Sequence, residues 1–214
     1  MTPPPRFFFG AMSPYSWFAA ERIERLLPAA QWRGVLAGAV FKANGRVSWG
    51  LTERREDGIA DCEARAAAYG LGPIRWPEPW PTSDLLIARA MAFADRSQAP
   101  PVADAAGRTA DVGDARGLLK PFALAAMRLA FLEGADLGDP DAVLEAGRRT
   151  GIDARDLRDA LADRGVKDAL RRVTDEALAL GVVGVPTVAV GQELFWGDDR
   201  LIEARTTYRS LQQA

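Results

Sequence analysis

An α/β architecture with a large all-helical insertion follows from three features of this 214-residue chain. A strand–helix–strand unit opens it near the N-terminus. From about Leu51 to Arg172 the character is helical. Strand character returns only at Thr187, as a hairpin followed by a last helix. The layout is β-α-β, a long helical insert, then β-β-α, with no internal repeat.

Each element has a local cause. Residues 1–5, with three consecutive prolines, form a loose tail, and Arg6-Phe7-Phe8-Phe9 reads as a short buried strand. Ser13-Pro14 supplies an N-cap followed by proline at the first helical position. Ala19, Ile23, Leu26 and Leu27 continue as an apolar stripe that stops at Pro28. A second strand is expected around Trp32–Val40, which makes a parallel pair with the first. In the insert, Phe122, Ala126 and Leu129 mark one helix face and Val166, Leu170 and Val173 another; Pro and Gly clusters at 72–81, 99–107 and 138–140 separate the helices. Thr187–Val190 and Glu193–Trp196, joined by Gly191-Gln192, make a hairpin. A final helix carries Leu201, Tyr208 and Leu211 and is capped by Asp198 or Asp199. The domains expected are a discontinuous one, residues 6–45 with 180–214, and an inserted helical one, 46–179.

Composition removes whole classes of chemistry. The 27 cations and 29 acids leave a net charge of -2, so nothing draws the chain toward nucleic acid or anionic lipid. There is no histidine, which excludes Ser-His-Asp and Cys-His mechanisms and imidazole zinc sites. The single cysteine, Cys62, allows no internal disulfide, dithiol couple or Cys-rich metal site, so no metal is expected. Cys62 lies in a charged helical stretch with no basic activator and reads as an inert small residue. The longest uncharged run, 16 residues between Glu176 and Glu193, is broken by Gly181, Gly184 and Pro186 and does not span a membrane. Phe7 to Ala20, uncharged but interrupted by Gly10, Pro14 and two serines, reads as core and not as a leader, and the chain as cytoplasmic. Only Lys42, Lys120 and Lys167 are lysines. The tryptophans are expected in the core, and the Arg-rich stretch Arg148–Arg172, interleaved with Asp, on a solvated helix face.

Two constellations could carry chemistry. Ser13-Pro14-Tyr15-Ser16 lies after the first strand and opens the first helix, where a thioredoxin-like protein places Cys-x-x-Cys because free N–H groups and the helix dipole stabilise a thiolate. Serines at both positions leave room for an ionised sulfur only if a ligand brings it. Plain N-capping accounts for the same residues. Gly184-Val185-Pro186-Thr187 precedes a strand. It is either a loop-to-strand transition or a cis-proline that exposes the Val185 backbone beside the helix N-terminus.

Four segments in order complete a pattern: Phe7–Phe9 through Ser13–Ser16; Gly38-Ala39-Val40-Phe41-Lys42-Ala43; Gly181–Thr187; and Phe195-Trp196-Gly197-Asp198-Asp199-Arg200-Leu201. With them the chain resembles the 2-hydroxychromene-2-carboxylate isomerases, relatives of kappa-class glutathione transferases in the DsbA-like thioredoxin superfamily. The resemblance implies a thioredoxin-like fold interrupted by a helical domain, with glutathione as cofactor at their junction. It implies Ser13 as the catalytic residue on the glutathione sulfur, and Val185 before Pro186 pairing with the cysteinyl backbone. The turn Trp196, Gly197, Asp198 and Asp199 would hold the γ-glutamyl end, carboxylates answering its ammonium. Lys42, with Asn44 beside it, matches the residue close to the organic substrate. Two positions depart from the family: Gly10 stands where an acidic residue is common, and Pro81-Thr82-Ser83-Asp84 where Asn is frequent.

The function implied is a glutathione-dependent isomerase, interconverting a 2-hydroxychromene-2-carboxylate-type substrate and its ring-opened benzylidenepyruvate isomer in aromatic catabolism. The alternatives are a kappa-type glutathione transferase and a non-catalytic thioredoxin-fold module that binds glutathione. The partners implied are a small aromatic substrate and a second copy in a homodimer, with neither nucleic acid nor membrane.

Overall fold

The structure, a computed structural model, describes residues 2–95 and 117–213. Four strands form one mixed sheet in the order β2-β1-β3-β4. β1 (Arg6–Phe9) and β2 (Gln31–Gly34) pair in parallel across the helix α1 (Pro14–Leu26); β3 (Thr187–Val190) is antiparallel to β1 and to β4 (Glu193–Trp196). Between β2 and β3 lie α2 (Ala37–Ala43), a 3₁₀ turn at Trp49–Leu51, α3 (Arg55–Tyr69), α4 (Leu85–Ala94), α5 (Leu119–Glu133), α6 (Pro140–Arg149), α7 (Ala154–Ala162) and α8 (Arg164–Ala179). A 3₁₀ turn at Asp198–Arg200 leads into α9 (Leu201–Gln213). The α/β arrangement with a helical insertion is therefore present. The Pro/Gly cluster at 99–107 lies outside the described residues.

The run of three phenylalanines shows how the sheet is buried. Side chains alternate across a strand, so Phe7 and Phe9 share one face, where both meet Trp32 edge-on at ring separations of 5.2 and 5.3 Å. Phe8 points the other way, into a smaller cluster with Val35, Val40, Val182, Val185 and Ala189. Both sheet faces are covered, which is why the strand is apolar at successive positions and not alternating. The larger cluster continues from Phe7, Phe9 and Trp32 through Trp17 and Phe18 into Phe122, Phe131 and Leu157 of the insert. Arg6 pairs with Glu176 of α8 at 3.0 Å, tying β1 to the insert.

Two expectations change. The second strand ends at Gly34, and residues 37–40, expected to be extended, lie in the helix α2. β1 pairs with Gln31–Gly34, and its last carbonyl, that of Phe9, accepts from Val35 N–H at 2.9 Å; beyond Phe9 the chain turns toward α1, so residues after Val35 have no ladder to join. Two of their amides are satisfied from other elements: Thr174 Oγ1 of α8 accepts from Leu36 N–H at 3.2 Å, and Asp84 accepts from Gly38 N–H at 3.1 Å. The second change concerns the last helix. Its 3₁₀ entry has Gly197 at the N-cap with no side-chain cap, so neither Asp198 nor Asp199 caps it.

Candidate active site

The first turn of α1 is built as expected. Ser13 is the N-cap in extended conformation, its Oγ accepting from Ser16 N–H at 3.3 Å, with Pro14 at the first helical position. Ser13 N–H donates to the Gly10 carbonyl at 3.1 Å, and the Trp80 indole N–H donates to the Met12 carbonyl at 3.2 Å. Ser13 is half-buried, whereas Ser16 is fully buried and its Oγ accepts from Gly10 N–H at 3.4 Å. The two serines therefore differ: Ser13 stands at the helix mouth with a hydroxyl proton available, while Ser16 braces the loop from inside.

That loop meets the Val185-Pro186 segment. The Val185–Pro186 bond is cis, as are Glu78–Pro79 and Trp80–Pro81, which were not anticipated. A Cβ on Gly10 would lie 3.6 Å from Val185 Cγ2 and only 2.8 Å from Ala37 Cβ. Glycine at position 10 thus reflects a steric limit: an acidic side chain has no room there. Gly197 N–H donates to the Pro186 carbonyl at 2.9 Å, and Trp196 lies flat against Gly184, its Nε1 2.7 Å from where a Cβ would be. The Arg46 guanidinium covers the exposed Trp196 ring at 4.6 Å. Among the described residues the Val185 backbone N–H and carbonyl make no backbone hydrogen bond.

The two aspartates of the turn have different surroundings. Asp199 is exposed, its carboxylate folded back beside Gly197. Asp198 is 1 % exposed and fully engaged. Oδ1 accepts from Arg65 Nη1 at 3.0 Å, Oδ2 accepts from Tyr69 Oη at 2.8 Å, and Arg22 lies 3.5 Å from Oδ2 while donating to the Asp198 carbonyl. Burial raises the Asp198 carboxyl above the usual carboxylate range; Tyr69, Arg65 and Arg22 oppose that rise. Arg65 Nε also binds Asp61 Oδ2 at 2.9 Å, and the same oxygen accepts from Tyr15 Oη at 2.9 Å. Burial raises the Tyr15 phenol as well.

Lys42 and Asn44 are both exposed, at the end of α2 and just beyond it. The Asn44 amide donates to the carbonyls of Val40 at 2.9 Å and Val182 at 3.3 Å, so it ties α2 to the loop before Val185. Asp84, from the 81–84 departure, caps the start of α2, and Thr82 Oγ1 binds Asp136 at 2.5 Å. Cys62 is fully buried beneath Tyr15, and burial pushes its thiol up to about 12. Among the described residues no group of three acidic or cysteine side chains is placed to hold a metal, and no helix is long and apolar enough to cross a membrane.

Arg65, Tyr69 and Arg22 did not stand out in the sequence. Asp61 and Arg65 show an i, i+4 pair, but nothing local announces a partner 133 positions away.

The family described as a DSBA-like thioredoxin domain matches residues 6–209. No curated protein matches the chain. Among solved structures it is similar to a 2-hydroxychromene-2-carboxylate isomerase, at 19% identity and TM-score 0.73 over 98% of this chain and 96% of that one. A probable DsbA oxidoreductase from Streptomyces coelicolor is similar at 20% identity and TM-score 0.69, covering 98% and 88%. The cytosolic disulfide reductase DsbM from Pseudomonas aeruginosa, in a structure with GSH, is similar at 12% identity and TM-score 0.61, covering 98% of each chain. The fold is thioredoxin-like, of the DsbA type.

Proposed function

The chain belongs to the DsbA-like thioredoxin domain family, and from that premise we propose that it is a glutathione-dependent isomerase of the 2-hydroxychromene-2-carboxylate type, cytoplasmic and homodimeric. One observation carries this reading: the helix mouth that serves a thiolate in this fold holds Ser13 instead, and the chain's only thiol, Cys62, is buried and protonated. A sulfur at that position must arrive with a ligand.

The residues present suit glutathione. Ser13 Oγ uses a lone pair on Ser16 N–H and keeps its proton to donate to a sulfur, favouring the anion. The Val185 backbone N–H and carbonyl are available to pair with a cysteinyl backbone. Beside Pro186, the turn of Trp196, Gly197, Asp198 and Asp199 would hold the γ-glutamyl end, the exposed Asp199 presenting negative charge to its ammonium and the buried Asp198 anchoring the turn. When bound, glutathione supplies a thiol nucleophile for reversible addition, which leaves the overall reaction redox-neutral. Lys42, exposed at the end of α2, would steady the carboxylate of an aromatic hydroxy acid or its developing oxyanion, with Asn44 beside it.

The test is a calorimetric titration with glutathione, joined to thiolate absorbance against pH and to steady-state isomerase rates. The bound thiol is expected to titrate below its value in free solution. Ser13→Ala should raise that value and slow turnover about 10- to 100-fold, the loss of one charge-assisted hydrogen bond. Glutathione affinity should fall much less. Accumulation of a stable conjugate would identify a transferase, and an unchanged titration and rate in Ser13→Ala would reduce Ser13 to a helix cap.

A further inference from the structure

Asp61, Arg65 and Tyr69 succeed one another at intervals of four on one face of α3, and their contacts converge on two separate segments of the proposed site. Arg65 is the link. Its Nε binds the Asp61 oxygen that also holds Tyr15, and its Nη1 binds Asp198. Tyr15 belongs to the first turn of α1, two residues after Ser13. Asp198 follows Gly197, whose amide docks on Pro186. A planar guanidinium can hold two carboxylates at once in fixed relative directions, and a lysine ammonium on a flexible stem cannot reproduce that fork.

We propose that Arg65 is a positioning residue that couples the two ends of the site. Through Asp61 it holds Tyr15 in the first turn of α1, and through Asp198 it holds the Gly197–Asp199 turn, so that Asp199 alone faces a bound ammonium. The assignment of the ammonium rests on the glutathione reading; the coupling of the two turns does not. Asp198 cannot serve as ligand contact, because it is buried with both carboxylate oxygens already taken by Arg65, Tyr69 and Arg22. It is the anchor that lets its neighbour remain exposed and aimed.

Two amides report on the two turns in the free protein. Ser16 N–H is bonded to Ser13 Oγ, and Gly197 N–H to the Pro186 carbonyl. Their hydrogen exchange is measured by NMR against Val143 N–H of α6, which is bonded to the Asp139 carbonyl. Arg65→Met should speed exchange at both Ser16 and Gly197 by about tenfold or more with Val143 unchanged, Arg65→Lys by less at both, and Asp61→Asn at Ser16 alone. A uniform rise that includes Val143, or no rise at either turn, overturns the proposal. If Arg65→Met does not fold, Arg65→Lys and Asp61→Asn decide by the same readings.

Glutathione titrations then test the ammonium assignment. Asp199→Asn and Arg65→Met should each weaken binding about 10- to 100-fold, and the double variant should be no weaker than the worse single one, because both remove the same contact. Losses that multiply refute it. A wild-type protein that binds no glutathione refutes the glutathione reading and the ammonium assignment, while the exchange data still decide the coupling.

Discussion

Gly10 shows how one missing carbon shapes the site. Its backbone needs no special freedom, since it is not among the glycines with positive φ; the constraint is space. An added Cβ would lie 2.8 Å from the Ala37 methyl, with Val185, the residue before the cis-proline, in ordinary contact at 3.6 Å on its other side. Gly10→Ala should therefore destabilise the protein by about 1–3 kcal/mol through overpacking. Ala37→Gly in the same chain should recover much of that loss, even though glycine in a helix has its own cost. Urea unfolding of both singles and the double checks this; strictly additive losses would show that the two residues do not compete for the same volume. Asp198 and Asp199 make the same point with charge. They are neighbours in sequence, yet one is an internal anchor and the other a surface group.

Among elements, α2 depends most on its neighbours. Seven residues cannot hold a helix in water by propensity alone. This one is held by Asp84 at its start, by Thr174 on the Leu36 amide and by Asn44 at its end. Burial raises the Asp84 carboxyl, against the opposing hydrogen bonds from Gly38 and Ala37. A carboxyl raised in the folded state binds its proton more tightly there than in the unfolded chain. Its contribution to stability is thus full below the ordinary carboxylate range and is lost as pH rises through the raised value. Asp84→Asn, which keeps an acceptor for the Gly38 amide, should look better relative to wild type at pH 7 than at pH 4. Denaturation midpoints at the two values measure it, and the opposite ordering would mean that the amide hydrogen bonds outweigh burial.

At the scale of the molecule, the proposed division into residues 6–45 with 180–214 and an insert of 46–179 coexists with a large core cluster that both parts share. Phe7, Phe9 and Trp32 of the sheet belong to the same cluster as Phe122, Phe131 and Leu157 of the insert. An aromatic group reaches from Tyr15 through Trp49, Trp80 and Trp76 to Phe131, so the helical part walls the Ser13 turn. The redox character of the chain follows from its serines and its single thiol. Ser13 and Ser16 occupy the thiol positions, and the Cys62 thiol, raised to about 12 by burial, is neutral at physiological pH. Insulin reduction by dithiothreitol should proceed at the uncatalysed rate. Acceleration that survives Cys62→Ser would disprove that expectation.

Short-range signals were sufficient for much of this. The Ser13-Pro14 cap, the stripe ending at Pro28, the hairpin around Gly191-Gln192 and the burial of Phe7–Phe9 are properties of adjacent residues or of a single periodicity. Each survives in the folded chain because no distant group contradicts it. The absence of histidine and of a second cysteine likewise bounded the chemistry without any coordinates. What lay beyond reach were choices made between elements. Whether residues 37–43 extend or coil depends on a partner strand that stops at Phe9 and on capping groups contributed by α4 and α8. Which aspartate of the pair is buried depends on α3 delivering Arg65 and Tyr69, and α1 delivering Arg22, to the same point. Local sequence sets the conformations a segment prefers. Which buried charge meets which partner is settled only when packing brings distant segments together, and there the cost of an unpaired charge selects the arrangement.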